Sequence, residues 1–239
     1  MPARSLTGYD PVARTFHWLG VLLVLSAVLV GLRMTRLPME SDADFAAAMK
    51  VFSIHKTIGV AAFLTALLRI LWAVLRPRPG PLHPQRRVET FLAALVHWSL
   101  YGALLVMPLS GWIYSSANPG YAPILLPVPQ VLPFVPATEA ASNIWKSVHH
   151  VAAWVLYAAV ALHVAGAFKH AILDMDATLA RMTTGRGPAV PAARFRPLPA
   201  LLALALWAAT LAAGILAAPA PEPDPFQDIG TLEEAAPLD

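Results

Sequence analysis

Five apolar segments constrain this chain more than anything else in it: Phe16 to Leu32, Val51 to Leu75, Phe91 to Tyr114, Val148 to Ile172 and Leu198 to Ala218. A helix rises about 1.5 Å per residue, so roughly 20 apolar residues cross a hydrocarbon core of about 30 Å. Each segment is therefore read as a transmembrane helix, and the fold class as all-α. Composition agrees: 57% of the 239 residues are hydrophobic and 13% charged, more apolar surface than one soluble core of this length can hide. The first segment is flanked by Arg4, Asp10, Arg14, Arg33 and Arg36 with no A-x-A cleavage pattern, and is read as a retained span, not a signal peptide.

The basic residues lie in clusters between the spans, so the formal charge of +3 is a topological signal and not a nucleic-acid footprint. Placing the N-terminus inside puts twelve of the 17 Lys and Arg residues on the inner side and five, namely Arg33, Arg36, Lys50, Lys56 and Lys146, on the outer side. An N-inside topology follows. The connection between the third and fourth spans carries Pro119, Pro123, Pro127, Pro129, Pro133 and Pro136, is too proline-rich for a regular helix, and is positioned to cap the outer mouth of a bundle. Residues 183–197 form an inner Gly/Pro/Arg linker, 198–218 a fifth transmembrane helix, and 219–239 an acidic outer tail with no basic residue, read as disordered or as a tether.

There is no cysteine, which removes disulfides, thiolate metal sites, iron–sulfur clusters and the C-x-x-C-H attachment of c-type haem. Redox or metal chemistry must use the eight histidines. Ionisable groups inside spans are costly and face the bundle interior, where they mark cofactors or ion paths. His149 and His163 are fourteen residues apart on one segment, which returns within about 40° of the same face after about 21 Å. His170 continues that stripe; His150 falls on the opposite side and, like His83, is read as a surface residue. Span directions put His17 at the inner depth of His163 and His55 at the outer depth of His149. A lone intramembrane histidine can serve as a helix–helix hydrogen bond, but two depth-matched pairs suit two flat macrocycles, each with iron axially ligated from both sides. Gly59 and Gly166 lie on the ligand faces, where a missing side chain leaves room for a porphyrin. Arg69 and Arg14 are candidates to hold a propionate or a quinone, and His97 to replace an inner ligand or bond a propionate. His170 is placed for a quinone carbonyl, a proton relay or simple interfacial solvation. Trp18, Trp98, Trp112 and Trp145 read as interfacial belt.

The segments R-T-F-H-W around His17, I-H-K-T-I-G around His55, V-H-W-S-L-Y around His97 and K-S-V-H-H around His149, with A-L-H-V-A-G-A-F-K-H and D-A-T-L-A-R-M, resemble the bacterial cytochrome b561 family over Tyr9 to Met182. The resemblance implies a four-helix bundle over 9–182 holding two b-type haems, with His17, His55, His149 and His163 as iron ligands. It also implies electron exchange with the quinone pool in the bacterial inner membrane, with ubiquinone as acceptor near His170. One branch is similar to superoxide oxidase, so superoxide is a candidate outer donor. The long proline-rich loop, the fifth span and the periplasmic acidic tail depart from the four-helix pattern. They motivate an alternative: a membrane anchor and electron-transfer subunit whose redox partner docks on the outer face near the tail. A histidine-lined transporter or metal carrier is a third reading, distinguished by the absence of Soret absorption.

Overall fold

The helices start where short polar side chains can take up the unpaired N–H groups of a first turn. In the computed structural model, which describes residues 5–120 and 122–222, Asp10 accepts from the Ala13 amide at 3.0 Å, Ser41 from Asp44 at 3.2 Å and Thr138 from Ala141 at 3.3 Å. These caps open α1 (Pro11–Met34), α2 (Asp42–Leu75) and α4 (Glu139–Phe168). Between them runs α3 (Arg87–Ala117); a π-helical turn (Lys169–Leu173) prolongs α4, a short α5 (Thr178–Thr183) follows, and α6 (Pro197–Leu216) opens on a proline suited to a first helical turn. Five of these helices, counting α4 with its π turn, are long and apolar enough to cross a membrane. The helices outrun the apolar segments at their starts, α2 beginning at Asp42 ahead of Val51 and α4 at Glu139 ahead of Val148, because the capped polar turns are helical without being apolar.

The pairs α1/α2, α2/α3, α3/α4, α3/α6 and α4/α6 pack directly, and α1 adds Val24 and Val28 to the core of the bundle. Leu22, Leu71 and Leu204 are more than half exposed on the outer surface, as lipid-facing side chains should be. Where α3, α4 and α6 meet, the core is Ala103, Ala152, Leu156 and Trp207, with small residues allowing close approach. Trp207 lies over Gly102, where a Cβ would collide with the indole, and its Nε1 donates to the Ser99 carbonyl at 3.0 Å. The fifth helix thus packs against the outside of the α3/α4 pair and does not enter the space between α1 and α4.

Two faces close the bundle. On the face that carries Ser5, here the N face, β1 (Ser5–Leu6) pairs antiparallel with β2 (Val190–Pro191), and Pro79 bridges Ala192. The buried Arg181 donates to the Gly80 carbonyl at 2.9 Å. The linker 183–197 is therefore clipped to both the start of the chain and the α2–α3 connection, a small β element absent from an all-α reading. On the opposite face, here the loop face, the proline-rich connection lies against α2 and α3. Lys56 donates to the Ala122 carbonyl at 2.8 Å, Thr57 Oγ1 accepts from Leu125, and Ser116 Oγ accepts from Leu132. Of the acidic tail, residues 223–239 lie outside the described residues.

Candidate functional site

Histidines from α1, α2 and α4 meet in two pairs inside the bundle. The ring centres of His17 and His163 are 6.1 Å apart, and those of His55 and His149 are 6.3 Å apart. Two imidazoles that each place a nitrogen about 2 Å from one metal ion, on opposite sides, hold their centres roughly 6 Å apart. A direct ring stack or hydrogen bond would bring them closer. Both spacings therefore match a pair of axial ligands.

The loop-face pair is oriented by its surroundings. His149 Nδ1 lies 3.0 Å from the Met107 carbonyl and 3.1 Å from Ser110 Oγ. A ring nitrogen that meets a carbonyl must carry the proton, which leaves Nε2 with the lone pair a metal needs. Gly111 lies against His149, and a Cβ there would stand 3.1 Å from Cε1; Gly31 lies against His55 in the same way, at 3.0 Å. These two glycines, one helix away from the rings they seat, give no periodic signal in the sequence. At Gly59 and Gly166 a Cβ would meet nothing within 4 Å, so both face open space.

The N-face pair borders a cavity of about 140 Å³ that also meets Arg69, His97, Tyr101 and Leu156. His97 donates Nδ1–H to the Ala93 carbonyl at 2.6 Å, and its ring centre is 5.1 Å from that of His163. That spacing is shorter than the roughly 6 Å of two rings on one metal ion, and His97 stands beside the His17/His163 pair. Its surface is exposed although it stands in mid-bundle, because it opens into the cavity. Arg69 Nη2 stands 3.3 Å from His17 Nδ1. A guanidinium only donates, so Nδ1 accepts there.

Two expected site residues are placed elsewhere. Arg14 donates to the Thr183 carbonyl at 2.8 Å, lies against Gly185, and does not line that cavity. His170 stands in the π turn just after Phe168, outside the cavity of the His17/His163 pair and held by carboxylates. Its Nδ1 is 2.8 Å from Asp176 Oδ2 and 3.2 Å from Asp174 Oδ2, and its Nε2 is 3.4 Å from Glu89 Oε1. His83, read as a surface residue, is half-buried and reaches the same Asp176 oxygen at 3.1 Å. Burial opposes charge on Asp176, but hydrogen bonds from Thr178 and His170 outweigh it and hold the carboxyl well below its usual range. Asp174 is lowered too, first by the Lys169 hydrogen bond. Glu89, His170 and Asp174 converge closely enough for a metal ion, yet Lys169 and Arg86 already fill that position with their own charge.

The family described as prokaryotic cytochrome b561 matches residues 8–185 of this sequence. Cytochrome b561 homolog 2 of Escherichia coli strain K12 is 29% identical over 176 residues, covering 73% of this chain and 90% of that relative. Both histidine pairs, His97 and His170 fall within the family match, and α6 lies beyond it.

Proposed function

The chain belongs to the prokaryotic cytochrome b561 family, a multi-pass membrane electron-transfer protein, and from that premise we propose that it holds two b-type haems, one at His17/His163 and one at His55/His149. It passes electrons between a donor at the loop face and quinone at the N face. The observation that carries the reading is the spacing of 6.1 and 6.3 Å between paired rings at two levels. Haem iron supplies a one-electron couple; the protein supplies ligation, orientation and charge.

Each group has a part in this. Met107 and Ser110 fix the His149 tautomer, and Gly31 and Gly111 seat the two loop-face rings. For His17 to ligate through Nε2, Nδ1 must hold the proton, which releases Arg69 to bind an anion instead. His97 and Arg69 flank the N-face haem. His170, joined through Asp176 to the half-exposed His83, stands where protons reach a quinone, with ubiquinone as the acceptor. With the N face cytoplasmic and the protein in a bacterial inner membrane, superoxide is the donor the reading favours. Two superoxide anions give two dioxygen molecules and two electrons, and the quinone takes up those electrons with two protons.

A second reading, a membrane anchor for a redox partner outside, draws support from the packed loop face and from Glu222, Asp224, Asp228, Glu233, Glu234 and Asp239 in the tail. Purified protein that reduces quinone with superoxide unaided supports the first reading, and inactivity without a co-purifying subunit supports the second. Ligation is tested by dithionite-reduced minus oxidised spectra with haem quantitation. His55→Ala and His163→Ala should each retain one haem of two; full haem content in either variant sinks the assignment.

A further inference from the structure

A second, smaller cavity of about 50 Å³ lies at the N face beside the first and shares Arg69 and Tyr101 with it. Its polar wall continues through Tyr9, Asp10, Trp72, Arg76 and Arg78. Three guanidinium groups and one carboxylate border it, an excess of two positive charges. Among the described residues none of these three arginines is ion-paired with a carboxylate. Arg76 lies over the Trp72 ring at 5.0 Å, and Arg69 over Tyr101 at 5.6 Å. Asp10 is engaged elsewhere: it accepts from the Ala13 amide at 3.0 Å and from Trp72 Nε1 at 3.1 Å. The segment bearing Arg78 is pinned by the Ala193 amide, which donates to the Arg78 carbonyl at 2.8 Å, and by the Gly80 amide on Pro191 at 2.9 Å.

Unpaired cations at the edge of a hydrocarbon region are costly, and a guanidinium matches a carboxylate in shape as well as charge. Burial pushes the Tyr9 phenol up, so it stays an O–H donor at the same wall. Haem b carries two carboxylates on one edge, and the pocket adjoins the cavity of the His17/His163 pair. We propose that this pocket receives the two propionates of the haem held by His17 and His163, with Arg78, Arg76 and Arg69 as their counter-charges; this rests on the di-haem reading above. Arg14, the propionate candidate on sequence spacing, has no part in it.

The test is a redox titration of the full-length protein, with the N-face haem identified as the component missing from His163→Ala. Arg78→Gln removes a positive charge beside that haem and should lower its midpoint potential while leaving the other haem unchanged; selective loss of that haem would support the proposal equally. Asp10→Asn removes the negative charge, keeps the helix cap, and should raise the same midpoint. It decides the matter alone if Arg78→Gln fails to assemble. Unchanged midpoints at full haem content in Asp10→Asn, or a shift of both haems together, overturn the proposal. So does a raised KM for quinone with both midpoints unchanged, which makes the pocket a quinone headgroup site. A wild type without two haems per chain would instead refute the di-haem reading itself.

Discussion

Asp176 shows how much one carboxylate can organise. Its Oδ2 meets His170 Nδ1 at 2.8 Å and His83 Nε2 at 3.1 Å, its Oδ1 accepts from the Thr178 amide at 2.8 Å, and Arg181 adds its charge from α5. Because the folded-state pKa lies below the unfolded one, the stability this group contributes is complete above the unfolded value, about 3.9, and is lost as pH falls through the folded one. Asp176→Asn should therefore destabilise the protein at pH 7 by about 1–3 kcal/mol, the worth of hydrogen bonds to a charged group. Thermal unfolding in detergent should show the gap to wild type beginning to narrow as pH is lowered below about 4; a gap that is constant with pH would remove the carboxylate from that role. This cluster was illegible in the sequence because His83, Glu89 and Asp176 belong to three different segments with no common period. The paired histidines were legible for the opposite reason: His149 and His163 share one regular helix, whereas His170 lies in the π turn that follows it.

At the scale of elements, α6 depends on two glycines in its interface. Gly102 on α3 accommodates Trp207, and Gly214 on α6 lies so close to α4 that a Cβ would stand 2.6 Å from the Val148 Cα. Gly102→Val should displace Trp207, break its hydrogen bond to the Ser99 carbonyl, and loosen α6 from the α3/α4 groove. Neither histidine pair uses α6, so both haems of the proposed reading should remain while the unfolding temperature drops and proteolysis within residues 184–196 speeds up. Loss of haem with α6 still docked would show instead that the change acts through α3. Hydropathy revealed that a fifth span exists, since that needs only a run of apolar residues, but not where it docks. Docking depends on small residues meeting across helices, and an apolar helix reads alike whichever neighbour it chooses. The extra turns of α2 and α4 were hidden likewise, since a capped amphipathic turn carries no hydropathy signal.

For the whole molecule, the remaining question is which way the two faces point. The N face gathers Arg14, Arg76, Arg78, Arg86, Lys169 and Arg181 around the β clip and the His170 network, while the loop face has only Arg33, Arg36, Lys50, Lys146 and Lys56, the last with its ammonium spent on the Ala122 carbonyl. Basic residues are retained on the cytoplasmic side of a membrane, so the N face should be cytoplasmic. That orientation brings the His170 end of the bundle to cytoplasmic water and turns the His55/His149 pair toward the periplasm, under the folded proline-rich connection. The chain has no cysteine, so a single introduced thiol reports its own side without background. Ala137 and Thr184 are both exposed, one on each face. In intact spheroplasts a membrane-impermeant maleimide should label Ala137→Cys at once and Thr184→Cys only after permeabilisation. The reverse pattern would put the His17/His163 pair and its arginine pocket at the periplasmic face, and the direction of electron flow argued from charge would have to be inverted with it.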